Sequence, residues 1–223
     1  DTAYSESCAS IGLMMFARRM VEMEGDGQYA DVMERALYNT VLSGMSMDGK
    51  HFFYVNPLET YPKAIPFNHI YDQVKPVRQR WFGCACCPPN IARTLVALGH
   101  YIFTPRADAL FINLYVGNTM QVAVGEKQLD LTITGNYPWQ EQVAITINSP
   151  DPVEHTLALR IPGWCEAARV ELNGEQYHGK IAKGYLHIHR SWAAGDRITL
   201  TLPMPVRRVY RNPLVRHLAG KVA

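Results

Sequence analysis

From Cys8 to Glu24 the run CASIGLMMFARRMVEME is apolar around most of its circumference, with Arg18, Arg19 and Glu22 as the main interruptions. That pattern predicts a largely buried helix, with Ser5 or Ser7 placed to cap its start. Gly25, Asp26 and Gly27 break the run. Apolar Tyr29, Val32, Met33, Ala36, Leu37, Val41 and Leu42 then recur at helical spacing against polar Asp31, Glu34 and Arg35, predicting an amphipathic helix that ends near Gly44. The two helices form an αα-hairpin, which buries only one side of each and calls for further helices. Between Gly49 and Gly83 four prolines and many aromatics predict a long loop, with a short strand at His51 to Val55. Pro88 and Pro89 open a third helix whose apolar face is Ile91, Leu95, Leu98 and Ile102, and Pro105 ends it.

Beyond that proline the period changes from helical to alternating. Phe111–Val116, Met120–Val124, Leu129–Ile133, Gln142–Ile147, Thr156–Ile161, Arg169–Leu172, Tyr185–His189 and Arg197–Leu202 are alternating or β-branched runs separated by Gly-Asn, Asn-Gly and Gly-Asp turns. Short strands at such regular spacing predict an antiparallel β-sandwich of jelly-roll type. The fold class is therefore α+β, with a helical part at 1–105 and a sandwich at 106–223. The chain starts at Asp1 with no charged and apolar leader, and Val215 to Ala223 stops inside an apolar run as if a strand had been cut. It reads as a fragment truncated at both ends, the sandwich included.

Charge narrows the function classes. Lys and Arg number 22 against 20 Asp and Glu, a formal +2, and no basic run tracks a phosphate backbone, so nucleic acid is not the expected partner. Apolar stretches such as Ile11 to Ala17 meet charge well short of the roughly 20 residues of a membrane span, which excludes a membrane role. The five cysteines are an odd number, and four fall in two tight groups, Cys8 and Cys84, Cys86, Cys87. That is not a disulfide framework, and reduced thiols serving chemistry or a metal in the cytoplasm are the expectation.

The segment Cys84 to Asn90 places three thiols just before a helix, where thiolates feel the positive helix end. Residues two apart share a face of extended backbone, so Cys84 and Cys86 can point together while Pro88 turns Cys87 separately. Glu6 and Cys8 have the same spacing, and on a continuous helix they would diverge by about 200°. If both bind one ion, the stretch from Tyr4 to Cys8 must be extended. Zinc is the ion that thiolates with a carboxylate favour. Ribbon and finger spacings are absent, however, and Cys8 reads equally as a small buried hydrophobe; Cys165 beside Trp164 reads that way outright.

YSESCASIGL at Tyr4–Leu13 and WFGCACCPPNIAR at Trp81–Arg93 resemble glycoside hydrolase family 127, the β-L-arabinofuranosidases. IPGWC at Ile161–Cys165 and the Leu172–Gly174 turn sit where that family places its sandwich. The resemblance implies the last helices of an (α/α)6 barrel followed by the sandwich. It also implies a retaining glycosidase with a zinc-bound cysteine nucleophile: Glu6, Cys8, Cys86 and Cys87 hold the metal and Cys86 attacks the anomeric carbon. The acid/base glutamate lies upstream of the Glu6 motif in the family and here would precede Asp1. The partner so implied is an arabinose-containing oligosaccharide or related glycan, and a fragment lacking that acid would be inactive. The face left open by an incomplete barrel is apolar and could also pair two copies as a homodimer.

Two other classes compete. One is a non-catalytic carbohydrate-binding or architectural sandwich; the other is a metal-free cysteine hydrolase with His69 as base. Of the histidines that could contact sugar, His69 in PFNHIYDQ is preferred over His51 and His100, and Tyr54, Tyr61, Tyr71 and Trp81 could form a stacking wall. His155, His178, His187, His189 and His217 are given no role.

Overall fold

A computed structural model describes residues 4–58, 60–63, 72–84, 86–216 and 219–220. Helix α1 spans Ser7–Glu24 and buries Ile11, Met14, Ala17 and Val21, one face at spacings of three and four. Gly25 ends it in the left-handed region at φ 61°, its N–H donating to Val21 O. Helix α2, Gly27–Ala36, is capped by the Asp26 side chain, which accepts from Gln28 N. It then widens into a π-helical turn at Leu37–Leu42, a feature that apolar spacing alone does not reveal. Helix α3, Cys87–Val96, carries prolines in its first turn, and Ala97 at φ −90°, ψ 9° breaks it before the short α4, Gly99–Ile102. The expected single third helix is thus two pieces. Pro105 closes a strand rather than a helix.

Eleven strands follow among the described residues. They are β1 Phe103–Pro105, β2 Leu110–Ile112, β3 Asn118–Val124, β4 Lys127–Gly135, β5 Gln142–Ile147, β6 Val153–Arg160, β7 Arg169–Leu172, β8 Glu175–Tyr177, β9 Ile181–Ala182, β10 Tyr185–Trp192 and β11 Arg197–Thr201. One sheet has the order β1-β2-β6-β10-β9 and the other β3-β4-β5-β11-β7-β8. The pairings are antiparallel except for β2 with β6, which runs parallel with Leu110 opposite Leu157. The run expected at Phe111–Val116 leaves the sheet after Ile112, because buried Asn113 turns its side chain to Thr104 Oγ1 (2.9 Å). His51–Val55 forms isolated bridges from Phe52 and Val55 instead of a strand.

One apolar cluster takes in Met14 of α1, Met33 of α2, Leu131 of β4, Leu157 of β6, Ile188 of β10 and Leu200 of β11. Helices and both sheets therefore share a core. At Gly27 and Gly184 backbone meets backbone: Gly27 N donates to Lys183 O at 2.8 Å, and a Cβ on either glycine would lie 3.2 Å from the other's Cα. Gly184 is also left-handed, at φ +75°. This contact lays α2 across the end of the β1-containing sheet, which explains why both faces of β6 are buried from Leu157 to Arg160. A smaller cluster of Phe52, Tyr54, Val55, Val74, Phe82 and Cys87 stands apart, with Cys8 and Cys86 packed on it. No described helix is long and apolar enough to cross a membrane.

Candidate functional site

The smaller cluster brings the start of α1, the start of α3 and the segment 52–56 together. Ser7 N donates to Tyr54 O (3.0 Å), the buried Ser7 hydroxyl to Phe53 O (3.1 Å) and Asn56 N to Ser5 O (3.0 Å), while Glu6 bridges Val55. These bonds fix where α1 begins. Neither serine caps it: Ser7 is spent on Phe53, and the N-cap position is Glu6, extended at φ −62°, ψ 136°. Glu6 is thus outside the helix and Cys8 inside it. The single change of conformation at Glu6 removes the divergence that a continuous helix would impose.

At the other helix start the expectation of extended backbone is overturned. Cys86 is already helical at φ −74°, ψ −36°, and Cys87 is the first residue of α3. A first-turn residue needs no intrahelical acceptor for its N–H, so the prolines that follow are compatible with helix there. Consecutive helical residues point about 100° apart. Cys86 accordingly faces Glu6 (Sγ to Oε1, 3.6 Å) while Cys87 faces Cys8 (Sγ to Sγ, 3.6 Å), the two neighbours being 3.8 Å apart. Cys84, the anticipated partner of Cys86, is exposed and lies outside this group.

Ligand atoms of Glu6, Cys8, Cys86 and Cys87 all lie within 4.8 Å of one another. Tetrahedral bonds of about 2.3 Å, the zinc–sulfur length, give edges of about 3.8 Å, so the observed sulfur spacings suit one tetrahedral ion. Burial, then the hydrogen bond and charge of Cys8, push the Cys87 thiol well above the usual thiol range. Burial thus favours the neutral thiol of Cys87 in the absence of a bound cation. The Tyr54 hydroxyl lies 3.1 Å from Cys86 Sγ, and that contact, followed by burial, holds its proton above the ordinary phenol range. Asn90 Nδ2 donates to Cys8 Sγ at 3.0 Å.

Of the aromatics expected near sugar, Tyr54 contacts the Cys86 sulfur, and Tyr61 and Trp81 are exposed. His69 and Tyr71 lie outside the described residues. His51 contacts Arg80 (3.4 Å), His100 is exposed, and Cys165 is buried alone with its thiol raised by that burial. Asn90 was legible only as part of the motif, one helical turn beyond Cys86 and Cys87.

Residues 1–100 match the family description for the catalytic domain of the GH127 β-L-arabinofuranosidases, and residues 109–204 match that for the GH127 middle domain. The chain is 38% identical to a non-reducing end β-L-arabinofuranosidase of Bifidobacterium longum, covering 100% of this chain and 34% of that protein. It superposes with a TM-score of 0.91 on a GH127 β-L-arabinofuranosidase from Geobacillus stearothermophilus T6, at 53% identity over 100% of this chain and 35% of the other. A second GH127 β-arabinofuranosidase structure gives a TM-score of 0.86 at 34% identity, covering 98% of this chain and 35% of that one. The chain spans about a third of the length of these relatives. With two GH127 domain descriptions covering most of its residues and its thiol cluster formed between the two quoted motifs, the chain belongs to glycoside hydrolase family 127.

Proposed function

We propose that the chain forms part of a retaining β-L-arabinofuranosidase in which Glu6, Cys8, Cys86 and Cys87 hold one zinc ion and Cys86 is the nucleophile. Residues 1–105 would be the end of the catalytic barrel and 106–223 the sandwich that supports it. The convergence of four ligand atoms within 4.8 Å carries the reading. A bound zinc would keep the thiols ionised at neutral pH.

Cys86 is the sulfur best placed to attack carbon, since Cys87 is fully buried and Cys8 accepts the Asn90 amide. Its Sγ bonds to the anomeric carbon as the glycosidic C–O bond breaks, and the leaving oxygen takes a proton from a carboxylic acid supplied by the larger protein. The resulting carboxylate takes a proton from water, whose oxygen displaces the sulfur from the same face as the departed group. Two inversions retain configuration. Tyr54 holds the Cys86 sulfur in line through the phase in which it bears charge. His69 is assigned to a sugar hydroxyl, and the substrate is an arabinose-containing glycan met in a reducing, cytoplasmic setting.

The full-length protein tests this with nitrophenyl arabinofuranosides and metal analysis. Hydrolysis of the β-L but not the α-L compound, with one zinc per chain, is the expected result. Turnover by zinc-free protein would remove the metal, and α-L preference the substrate assignment.

A further inference from the structure

We infer that Asn90 is a positioning residue for Cys8, holding that sulfur as a spectator ligand by donating an N–H···S hydrogen bond to it. The inference rests on the metal reading above and concerns a residue outside the four ligands. Asn90 Nδ2 lies 3.0 Å from Cys8 Sγ, a bond between residues 82 apart in sequence. Its own placement is fixed at both ends of the residue: Asn90 N donates to Cys86 O (3.3 Å), and Asn90 O accepts the Thr94 hydroxyl (2.8 Å). The side chain therefore projects from the same first turn of α3 that carries Cys86 and Cys87, so one helix start supplies two ligands and the support for a third.

The consequence follows from donor chemistry. A carboxamide N–H turned toward sulfur only donates, and flipping the amide would set its oxygen against a thiolate. A phenol hydroxyl such as that of Tyr54 on Cys86 can rotate and change from donor to acceptor. Donation to a thiolate draws charge from sulfur, lowering both its donation to a metal and its reactivity toward carbon electrophiles. Cys8 is thereby damped permanently, whereas Cys86 is damped only while Tyr54 points its proton at it. The pair of contacts separates a ligand from a nucleophile among chemically identical side chains.

The test uses the full-length protein with cobalt(II) in place of zinc, comparing wild type with Asn90→Ala and the isosteric Asn90→Asp. The sulfur-to-cobalt charge-transfer band is expected at longer wavelength in both variants, because an undamped sulfur is easier to oxidise. Iodoacetamide should label Cys8 about tenfold faster in Asn90→Ala, the weight of one hydrogen bond to a charged group, with Cys86 and Cys87 changed less when mapped by mass spectrometry. If Asn90→Ala fails to fold, the isosteric variant carries the same readouts. Unchanged band position and Cys8 labelling in metal-loaded variants would overturn the role of Asn90 alone. Absence of any thiolate-to-cobalt band in the wild type would overturn the metal reading and this inference with it.

Discussion

Three thiols lie within four positions of one another, yet their surroundings differ sharply. Cys84 is exposed and outside the ligand group, Cys87 is wholly buried, and Cys86 is half-buried beside Glu6 and Tyr54. With Cys86 as the proposed nucleophile, Cys86→Ser keeps a heteroatom in place but removes the soft sulfur, so turnover of the full-length protein should fall by about three orders of magnitude or more, the scale of removing a covalent nucleophile. Cys84→Ser should change it far less. Steady-state kinetics of the two variants, with zinc content measured alongside, check the contrast; equal losses at full zinc occupancy would contradict it. The convergence of Glu6, Cys8, Cys86 and Cys87 was legible from the Glu6/Cys8 and CACC motifs because each pair is local in sequence. Tyr54 was not legible as a sulfur contact, since it reaches Cys86 across 32 positions through a segment that pairs only by isolated bridges.

At the scale of elements, α2 is tied to the sandwich by a buried ion cluster. Arg160, the last residue of β6 and 0% exposed, reaches Asp31 (2.5 Å) and Glu34 on α2 and donates from Nε to Asn113 O (2.5 Å). Glu34 also accepts from Tyr137 (2.7 Å) and from the Trp164 indole (3.1 Å), and Asp31 from Gly163 N (3.0 Å). Each carboxylate is thus fully partnered. Glu34→Ala leaves a buried guanidinium half-paired, and a loss of about 3–5 kcal/mol is expected. That corresponds to roughly 10 °C in Tm for a chain of this length, measurable by calorimetry. A shift under 2 °C would mean that water replaces the carboxylate at no cost. Alternation along β6 could not reveal this cluster. Period-two reading sends every second side chain to solvent, and only the covering helix α2 turns Arg160 into an interior residue. The same reasoning covers the three unexpected strands, β1, β8 and β9, which are too short to show a period at all. His155 on the same strand gives a pH signature. Burial holds its pKa below the ordinary 6.5, with Asp108 opposing and His189 assisting. A proton binds the unfolded chain more readily, so this stability is complete above pH 6.5 and declines as pH falls below it. His155→Gln should flatten the pH dependence of Tm in that window, and an unchanged slope would assign it to other groups.

Among the described residues the buried apolar side chains form one large cluster and two small ones, of Phe52, Tyr54, Val55, Val74, Phe82 and Cys87 and of Ala109, Phe111, Ala158 and Tyr185. The large cluster runs from α1 and α2 through both sheets, while the Phe52 cluster beneath the cysteines is separate from it. The helical part and the sandwich therefore share one core, although helical and alternating periods place their change of character near residue 105. Buried Leu, Ile and Met side chains contribute about 1.5–3 kcal/mol each, so unfolding either part alone would strip the other of much of its shared core. Cooperative opening of both is the expected behaviour, with the cysteine segment opening at lower free energy. Native-state hydrogen exchange on the chain measures this directly: amides of α2, β6 and β10 should converge on one opening free energy, and those at 52–56 should fall below it. Cys86→Ala, which touches only the Phe52 cluster, should leave the shared value almost unchanged while lowering protection at 52–56. Distinct opening energies for α2 and β6 would show that the Arg160 cluster and the Gly27–Gly184 contact hold two separately folding parts in place rather than one.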